Sequence, residues 1–252
     1  ILMNLNQFEL ESGCFENCIK LLYITIPSSV ISIGNSTFSG CQSLIQISIP
    51  SSVTKIGNEA FSLCQSLEQI TIPSSVTSIG DRAFYGCSSL IQISIPSSVT
   101  SFGNYIFSGI QTLEITGDIQ HIPDTLFSNC KSLTQITIPS SVTSIGNYAF
   151  FECSLLTQVT IPSSVTTIGN NAFMRCLLLT KITFEAPSSV TKIGNDAFSG
   201  CLLLRQISIP SSITSFGNYI FDGINSLEIT GDIQHIPNNL FSGCSSLTEI
   251  II

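Results

Sequence analysis

Hydrophobic residues recur along this chain every 23 positions, and the stretch 64–86 shows the pattern without interruption. Leu67, Ile70 and Ile72 are spaced L-x-x-I-x-I. The Ile-x-Ile alternation is the period of a strand with one buried face. Pro73 follows, and because proline has no N–H it cannot continue a hydrogen-bonded ladder. The pattern therefore predicts a short strand that ends at this proline.

The second half of the same stretch predicts a second extended segment, a turn and a compact corner. The segment 76–79 carries the shorter apolar pair V-x-x-I, and Gly80–Asp81 follows it where most copies have Gly-Asn. Glycine and asparagine tolerate positive φ, so we expect the turn at this dipeptide. Ala83, Phe84 and Cys87 then fall at a spacing that suits one inward-facing helical or 3₁₀ turn.

Nearly all of the chain consists of copies of this unit. Complete copies begin at residues 18, 41, 64, 87, 110, 130, 153, 176, 201 and 224, with partial copies at 1–17 and 244–252. Repetition with a fixed period of this size indicates a solenoid, in which coils stack and share one core. We predict a single domain over 1–252. We expect an α/β-type but mostly β, right-handed solenoid with a parallel sheet on one face and short 3₁₀ or helical turns. Because the V-x-x-I face also looks extended, its curvature should be gentle.

Three coils depart from the period. The coils from Ile110 and Ile224 have only 20 residues, and the coil from Cys176 has 25. Residues 87–130 match residues 201–244 at 34 of 44 positions, so a module of five coils has been duplicated with its short coil. We expect the long coil to bulge at the end of its strand, near Glu185. We expect each short coil to lose three residues from the strand end and its turn, where Gly117 and Gly231 stand.

The consensus C-x-x-L-x-x-I-x-I-P-S-S-V-x-x-I-G-x-x-A-F-x-x resembles the BspA-like, or treponemal-type, leucine-rich repeat, and it covers essentially the whole chain. That family comprises mainly large surface proteins of anaerobic bacteria and of protists, some linked to adhesion to host matrix proteins and other cells. It has no shared catalytic residues to carry over. The resemblance implies a non-enzymatic binding or adhesion scaffold at the cell surface or outside the cell. Its partner would be a host or neighbouring-cell protein or a glycan. A structural, self-assembling repeat protein is the alternative.

Composition narrows the possible partners. The chain carries eight Lys and Arg against sixteen Asp and Glu, a net charge of −8, which argues against binding nucleic acid. No run approaches 18 consecutive apolar residues, so we predict no membrane span. We predict no cofactor.

The ten cysteines fall almost entirely in one column of the repeat. Stacked coils would place neighbouring Cα atoms about 4.7–4.9 Å apart, which permits a disulfide. Their apolar surroundings, and the replacement of cysteine by Ile110 and Ile224, favour buried free thiols over scattered disulfides. Metal binding is the least favoured alternative, since the chain has no C-x-x-C pair.

The two histidines, His121 and His235, occupy equivalent places in the short coils, each within D-I-Q-H-I-P. A nucleophilic site needs an exposed nucleophile beside such a base, and the cysteines belong to the core column. We therefore interpret the histidines as exposed turn residues. The short coils should leave a notch that exposes Gln120, His121, Gln234 and His235.

The outward positions of the main strand form two polar columns with little charge. A solvated strand face that stacks as ladders would explain them, as would a shallow binding face for protein or glycan. An ice-binding face is disfavoured because the glutamine column makes the surface uneven. The candidate binding face comprises Gln46, Ser48, Gln69, Thr71, Gln92, Ser94, Gln135, Thr137, Gln158, Thr160, Lys181, Thr183, Gln206 and Ser208.

Both ends of the sequence lack a polar sealing repeat. The chain opens with Ile1, Leu2 and Met3, and Leu247 and Ile250 near its end sit in ordinary core columns. Unpaired strand edges are templates for pairing with another chain. We expect either that the natural chain continues past both ends or that copies stack end to end, which would give a filament.

Overall fold

The computed structural model describes residues 8–230, 240–241, 244–245 and 247–251. The chain divides into two compact units, Ile1–Ile119 and Gln120–Ile252. In each unit the described residues form short strands connected by tight turns. The strands of the first unit are β1 (Phe8–Leu10), β2 (Tyr23–Thr25), β3 (Val30–Ile33), β4 (Gln46–Ser48), β5 (Lys55–Ile56), β6 (Gln69–Thr71), β7 (Ser78–Ile79), β8 (Gln92–Ser94), β9 (Ser101–Phe102) and β10 (Thr112–Thr116).

The first unit is a parallel β-solenoid with strands on two faces. The L-x-x-I-x-I segments form the pair β2–β4 and the sheet β6–β8–β10, and the V-x-x-I segments form the sheet β1–β3–β5–β7–β9. Equivalent residues of successive coils face each other, as Gln69 and Gln92 do. The prediction of a mostly β leucine-rich solenoid with an extended second face is confirmed.

The second unit repeats this architecture. Its V-x-x-I strands form the sheet β11–β13–β15–β17–β19, and four of its L-x-x-I-x-I strands pair with the last strand as β14–β16–β18–β20–β21. The strands of this unit are β11 (His121–Ile122), β12 (Gln135–Thr137), β13 (Ser144–Ile145), β14 (Gln158–Ile161), β15 (Thr167–Ile168), β16 (Lys181–Phe184), β17 (Lys192–Ile193), β18 (Gln206–Ser208), β19 (Ser215–Phe216), β20 (Ser226–Thr230) and β21 (Glu249–Ile251).

The core of each unit is built from columns of identical residues. In the first unit the rings of Phe15, Phe38, Phe61, Phe84 and Phe107 stack with centroids 5.3–5.9 Å apart. In the second unit the rings of Phe127, Phe150 and Phe173 stack at 5.1 and 4.9 Å. Offset stacking of this kind adds about 0.5–1.5 kcal/mol per pair beyond burial. The phenylalanine column is therefore a continuous spine of each core.

The predicted helical or 3₁₀ turn at Ala83, Phe84 and Cys87 is wrong. The described part of the chain contains no helix. In this segment alternate N–H groups donate to the next coil, as Phe84 N does to the Ile106 carbonyl at 3.1 Å. The N–H groups of Tyr85 and Cys87 instead close isolated four-residue turns, as Cys87 N does with the Phe84 carbonyl at 3.3 Å. A helix needs those same N–H groups for its own i−4 carbonyls, so hydrogen bonding between coils displaces it.

The expected positive φ at Gly80–Asp81 is also misplaced. The left-handed residue is the next one, Arg82, with φ of 52°, and its counterparts include Tyr105 at 57° and Asn171 at 56°. Gly80 is required by a close approach instead, because a Cβ there would lie 2.5 Å from the backbone nitrogen of Asn58. The coils therefore touch backbone to backbone along the glycine column.

The residue that follows each of these glycines forms a ladder that the sequence analysis missed. Its side-chain oxygen accepts a hydrogen bond from the backbone N–H of the equivalent residue one coil further on. Asn58 Oδ1 accepts from Asp81 N at 2.9 Å, and Asn147 Oδ1 accepts from Asn170 N at 2.8 Å. Because aspartate can accept the same bond, it replaces asparagine in this column, as Asp124 does toward Asn147 N at 2.7 Å.

The short coil from Ile110 loses its three residues at two places, which corrects the expectation that all came from the strand end and its turn. Ile115 pairs with Ile93 while Leu113 keeps the buried position of Leu90, so one residue is lost ahead of the strand. The other two are lost from the turn, where buried Ile119 takes the valine position. The corresponding Gly231 lies outside the described residues.

The long coil keeps its strand in register to the end. Ile161 pairs with Phe184, and the extra residues form an exposed turn at Glu185, Ala186 and Pro187. The carboxylate of Glu185 accepts a hydrogen bond from Ser163 N at 3.2 Å. The bulge is therefore a turn after the strand and not a break within it.

Several expectations remain predictions. They are the right-handed winding of the solenoid, its gentle curvature and the single domain over 1–252. Ile1, Leu2, Met3, Gln234 and His235 lie outside the described residues. Leu247 is half-buried and Ile250 is exposed.

Candidate functional site

The two predicted polar columns lie on the solvent side of the main strands. In β4, Ile47 is buried between exposed Gln46 and Ser48, and β6, β12, β14 and β18 repeat this pattern. In β8 the outward residues Gln92 and Ser94 are half-buried. This "polar face" is the set of candidate binding residues defined above together with the residues aligned with them.

Strand pairing brings members of the columns side by side. In the first unit Gln69 lies opposite Gln92. In the second unit Lys181 lies between Gln158 and Gln206. Thr160 and Thr183 are aligned in the neighbouring column. Each unit therefore presents amide and hydroxyl groups in rows at the spacing of parallel strands, about 4.7–4.9 Å, and the second unit adds the ammonium group of Lys181.

The polar face also contains two carboxylates that were not predicted from the sequence. Glu114 pairs with Gln92, and Gln92 Nε2 donates to its carboxylate at 3.0 Å. Glu228 holds the same place beside Gln206. Both lie in the short coils, where the residue lost ahead of the strand shifts the column by one position. The signal was present in the sequence, because Leu-Glu-Ile-Thr aligns with Gln-Ile-Ser or Gln-Ile-Thr only after that shift.

A shallow groove marks the polar face of the first unit. It has a volume of about 290 Å³ and is lined by Gln46, Ser48, Gln69, Thr71 and Pro73 together with the neighbouring isoleucine backbone. Glutamine amides both donate and accept, and serine and threonine hydroxyls do the same. The groove can therefore hydrogen-bond the amides of a peptide or the hydroxyls of a sugar.

A second groove lies on the V-x-x-I face of the second unit. Its volume is about 360 Å³, and His121, Asp124, Ser144, Thr167 and Lys192 supply its side chains. The glycine column keeps its floor free of side chains. This groove was not predicted from the sequence, because the predicted surface columns were those of the main strand alone. The residues one position before each Ile-Gly would have indicated it.

His121 is exposed, but it lies on β11 opposite Ser144 and not in a turn. Gln120 beside it is also exposed. Asp118 accepts hydrogen bonds from the backbone N–H and the hydroxyl of Ser97, at 2.7 and 2.9 Å. These bonds lower the pKa of the Asp118 carboxyl. Asp118 thus holds the Pro-Ser-Ser turn of the preceding coil, and its counterpart in the other short coil lies outside the described residues.

The cysteine column is buried, as predicted. Seven cysteines are fully enclosed, whereas Cys14 and Cys18 are exposed and Cys244 is half-buried. Each enclosed thiol for which a bond is resolved donates to a phenylalanine carbonyl of the preceding coil, as Cys87 Sγ does to Phe61 at 3.0 Å. Burial raises the pKa of Cys41 to about 11 and that of Cys87 to about 12. Thiols held protonated in this way are poor nucleophiles and poor metal ligands.

Among the described residues, no group of three or more His, Cys, Asp or Glu is placed to hold a metal ion. No helix there is long and apolar enough to cross a membrane.

Comparison with protein families matches residues 8–133 and 183–252 to the BspA type leucine rich repeat region, in six copies. A leucine-rich repeat protein from Bacteroides ovatus has a similar crystal structure. It is 30% identical with a TM-score of 0.53, and the match covers 95% of this chain and 72% of that one. A leucine rich cell surface protein from Faecalibacterium prausnitzii is 29% identical with a TM-score of 0.43, covering 96% and 82%. The pneumococcal vaccine antigen PcpA is 23% identical with a TM-score of 0.48, covering 96% and 72%. No curated protein matched the sequence.

Proposed function

Because this chain belongs to the family of BspA-type leucine-rich repeat proteins, we propose that it is a non-enzymatic binding scaffold at a cell surface. Its polar face binds a protein or a glycan of a host or neighbouring cell. The observation that carries the proposal is the groove of about 290 Å³ lined by Gln46, Ser48, Gln69 and Thr71. The cell-surface location rests on the resemblance to the family.

The chemistry of this face favours weak, repeated hydrogen bonding. Its side chains are uncharged apart from Lys181, Glu114 and Glu228, while the isoleucines between them are buried. An uncharged hydrogen-bonded contact is worth about 0.5–1.5 kcal/mol net, so useful affinity requires several coils to contact one ligand. An extended ligand lying along the coils satisfies that requirement.

The test is a binding assay on immobilised matrix proteins and glycans, with the double variant Gln46→Ala and Gln69→Ala. The double variant Gln42→Ala and Gln65→Ala is the matched control, because it makes the same change in the same coils at exposed positions outside the strands. We expect the first variant to weaken binding about tenfold or more and the control to leave it unchanged.

Equal binding by both variants would exclude this face. Electron microscopy of the pure protein distinguishes the alternative function. Filaments together with absence of binding would show a structural, self-assembling element instead.

A further inference from the structure

A further surface, in three adjacent coils of the second unit, carries leucine at positions that are polar in most other coils. The two positions after each column cysteine read Gln-Ser in the coils from Cys41 and Cys64, Ser-Ser in the coil from Cys87 and Lys-Ser in the coil from Cys130. In the next three coils leucine enters these positions. We call the resulting set the leucine patch: Leu155, Leu177, Leu178, Leu202 and Leu203.

The core does not use these leucines. They are 38–43% exposed, whereas the leucine that follows in each coil, Leu156, Leu179 or Leu204, is fully buried. Polar residues occupy the same positions in other coils without harm to the core. Packing of the core therefore does not explain why leucine occupies these positions. Contiguous exposed apolar patches on proteins commonly mark interaction sites.

Strand register aligns the patch. Leu155, Leu178 and Leu203 each precede the first residue of their strand by three positions, and those first residues pair across β14, β16 and β18. Leu178 N also donates to the Ser154 carbonyl at 3.2 Å, which joins two of the loops. The patch is thus two short rows of leucine at the spacing between coils.

The internal duplication gives independent support. Residues 201–244 differ from residues 87–130 at ten positions. Three of these differences replace Ser88, Ser89 and Ile91 by Leu202, Leu203 and Arg205. The copy that lies beside Leu177 and Leu178 therefore carries leucine at both positions and an arginine, which the other copy lacks.

The surroundings are basic in an acidic protein. Three of the eight Lys and Arg lie within three positions of a patch leucine, against one of the sixteen Asp and Glu, Glu152. Arg175, Lys181 and Arg205 flank the leucines in sequence and are exposed. Arg175 forms an ion pair with Glu152 at 3.0 Å. A ligand that complements this surface therefore combines apolar groups for the leucines with carboxylates for the cations.

We propose that the leucine patch binds an acidic amphipathic segment of a partner protein, separately from the polar face. A bilayer fits less well, because anionic membranes recruit clusters of about four to eight Lys and Arg, and one of the three cations here is already paired. A second copy also fits less well. Stable interfaces need more than about 1,000 Å², and pairing the patch with itself would bring like charges together.

The test uses selection from a displayed library of random 12-residue peptides, on the native protein and on variants. The patch variant restores the sequence of other coils through Leu177→Gln, Leu178→Ser, Leu202→Gln and Leu203→Ser. The control variant, Ile45→Thr and Ile91→Thr, replaces exposed isoleucines of the first unit by the residue found at Thr134 and Thr157. Circular dichroism checks that both fold.

We expect the native protein and the control to enrich peptides with net negative charge and two or more large apolar residues. We expect the patch variant to bind them about tenfold more weakly or worse. Arg205→Glu, which leaves the polar face unchanged, should weaken binding and reduce its salt dependence. Enrichment of neutral or basic peptides, absence of enrichment, or equal binding by the patch variant would overturn the proposal.

Two further measurements complete the test. If the native protein sediments with phosphatidylserine vesicles and the patch variant does not, the surface binds membranes. If the native protein forms a concentration-dependent dimer and the patch variant does not, the surface serves self-association. Either result would overturn the proposal, and neither bears on the polar face.

Discussion

The glycine column predicts that a glycine without positive φ is harder to substitute than a glycine with positive φ, which is the reverse of the usual rule. Gly169 does not have positive φ, so ordinary backbone rules would allow alanine and even credit it with about 0.4–1 kcal/mol of stabilisation through the unfolded state. A Cβ at Gly169 would, however, lie 2.6 Å from Asn147 N and from Gly146 C, both backbone atoms of the preceding coil. Ordinary van der Waals contacts of a Cβ atom begin at a distance about 0.8 Å longer than this. The two coils would have to separate by most of that difference.

Separation would strain two hydrogen bonds of 2.8 Å, from Gly169 N to the Ile145 carbonyl and from Asn170 N to Asn147 Oδ1. Overpacking of this kind costs about 1–3 kcal/mol, which exceeds the entropic gain. We therefore expect Gly169→Ala to lower the free energy of unfolding by about 1–2 kcal/mol, measured by urea denaturation with circular dichroism.

The control is Gly200→Asn, at a glycine with φ of 71°. Asn129 holds the equivalent position in another coil with φ of 61°, and the nearest atom to a Cβ at Gly200 is Arg175 Cγ at 3.3 Å. We expect this variant to change stability by less than about 1 kcal/mol. If Gly169→Ala proved as stable as the native protein, or less damaging than Gly200→Asn, close coil contact would not be the reason for the glycine column.

Three further predictions follow from the core, the thiols and the short coil. Phe150→Ala should cost about 3–5 kcal/mol in urea unfolding, because it opens a cavity in the phenylalanine spine; a loss below about 1 kcal/mol would contradict continuous stacking. Thiol titration of the native protein should be low and rise sharply in denaturant. Because burial raises the pKa of Cys87 and Cys201 to about 12, stability should also fall as pH rises above their ordinary value of 9.0. Asp118→Asn should be less stable than the native protein at pH 7. Because the folded pKa of Asp118 is lowered, that difference should vanish as the pH falls below its ordinary value of 3.8, which acid titration of both proteins would show.

The sequence predicted the parts of the fold that depend on periodic burial. The Ile-x-Ile alternation marks β6, and the V-x-x-I pair marks β7, because each column must face either the core or the solvent. The wrong prediction of a helical turn has one cause. The corner at Ala83 and Phe84 was predicted as helical from spacing within one coil, whereas its hydrogen bonds run to the neighbouring coil. Hydrogen bonding between coils cannot be inferred from a single repeat.

The same limit applies to the candidate sites. Exposed Gln46 and Gln69 could be placed from alternation alone. The membership of Glu114 in the polar face was not predicted, because alternation alone does not show where the short coil loses a residue. The groove beside Lys192 was missed for another reason, since its walls come from several coils and no single repeat contains it.

A strictly periodic face carries a problem of its own for recognition. Rows of identical amides and hydroxyls offer a ligand nearly the same contacts after a shift of one coil, so the rows alone cannot fix where along the solenoid the ligand lies. Charged residues that interrupt the rows can fix the position of the ligand, because a like-charge contact is unfavourable in every register but the correct one. On the polar face of the second unit Lys181 interrupts the glutamine column between Gln158 and Gln206, and in the first unit Glu114 follows Gln92. If the polar face binds an extended partner, the glutamines supply affinity in proportion to the number of coils contacted, and these few charges decide its position.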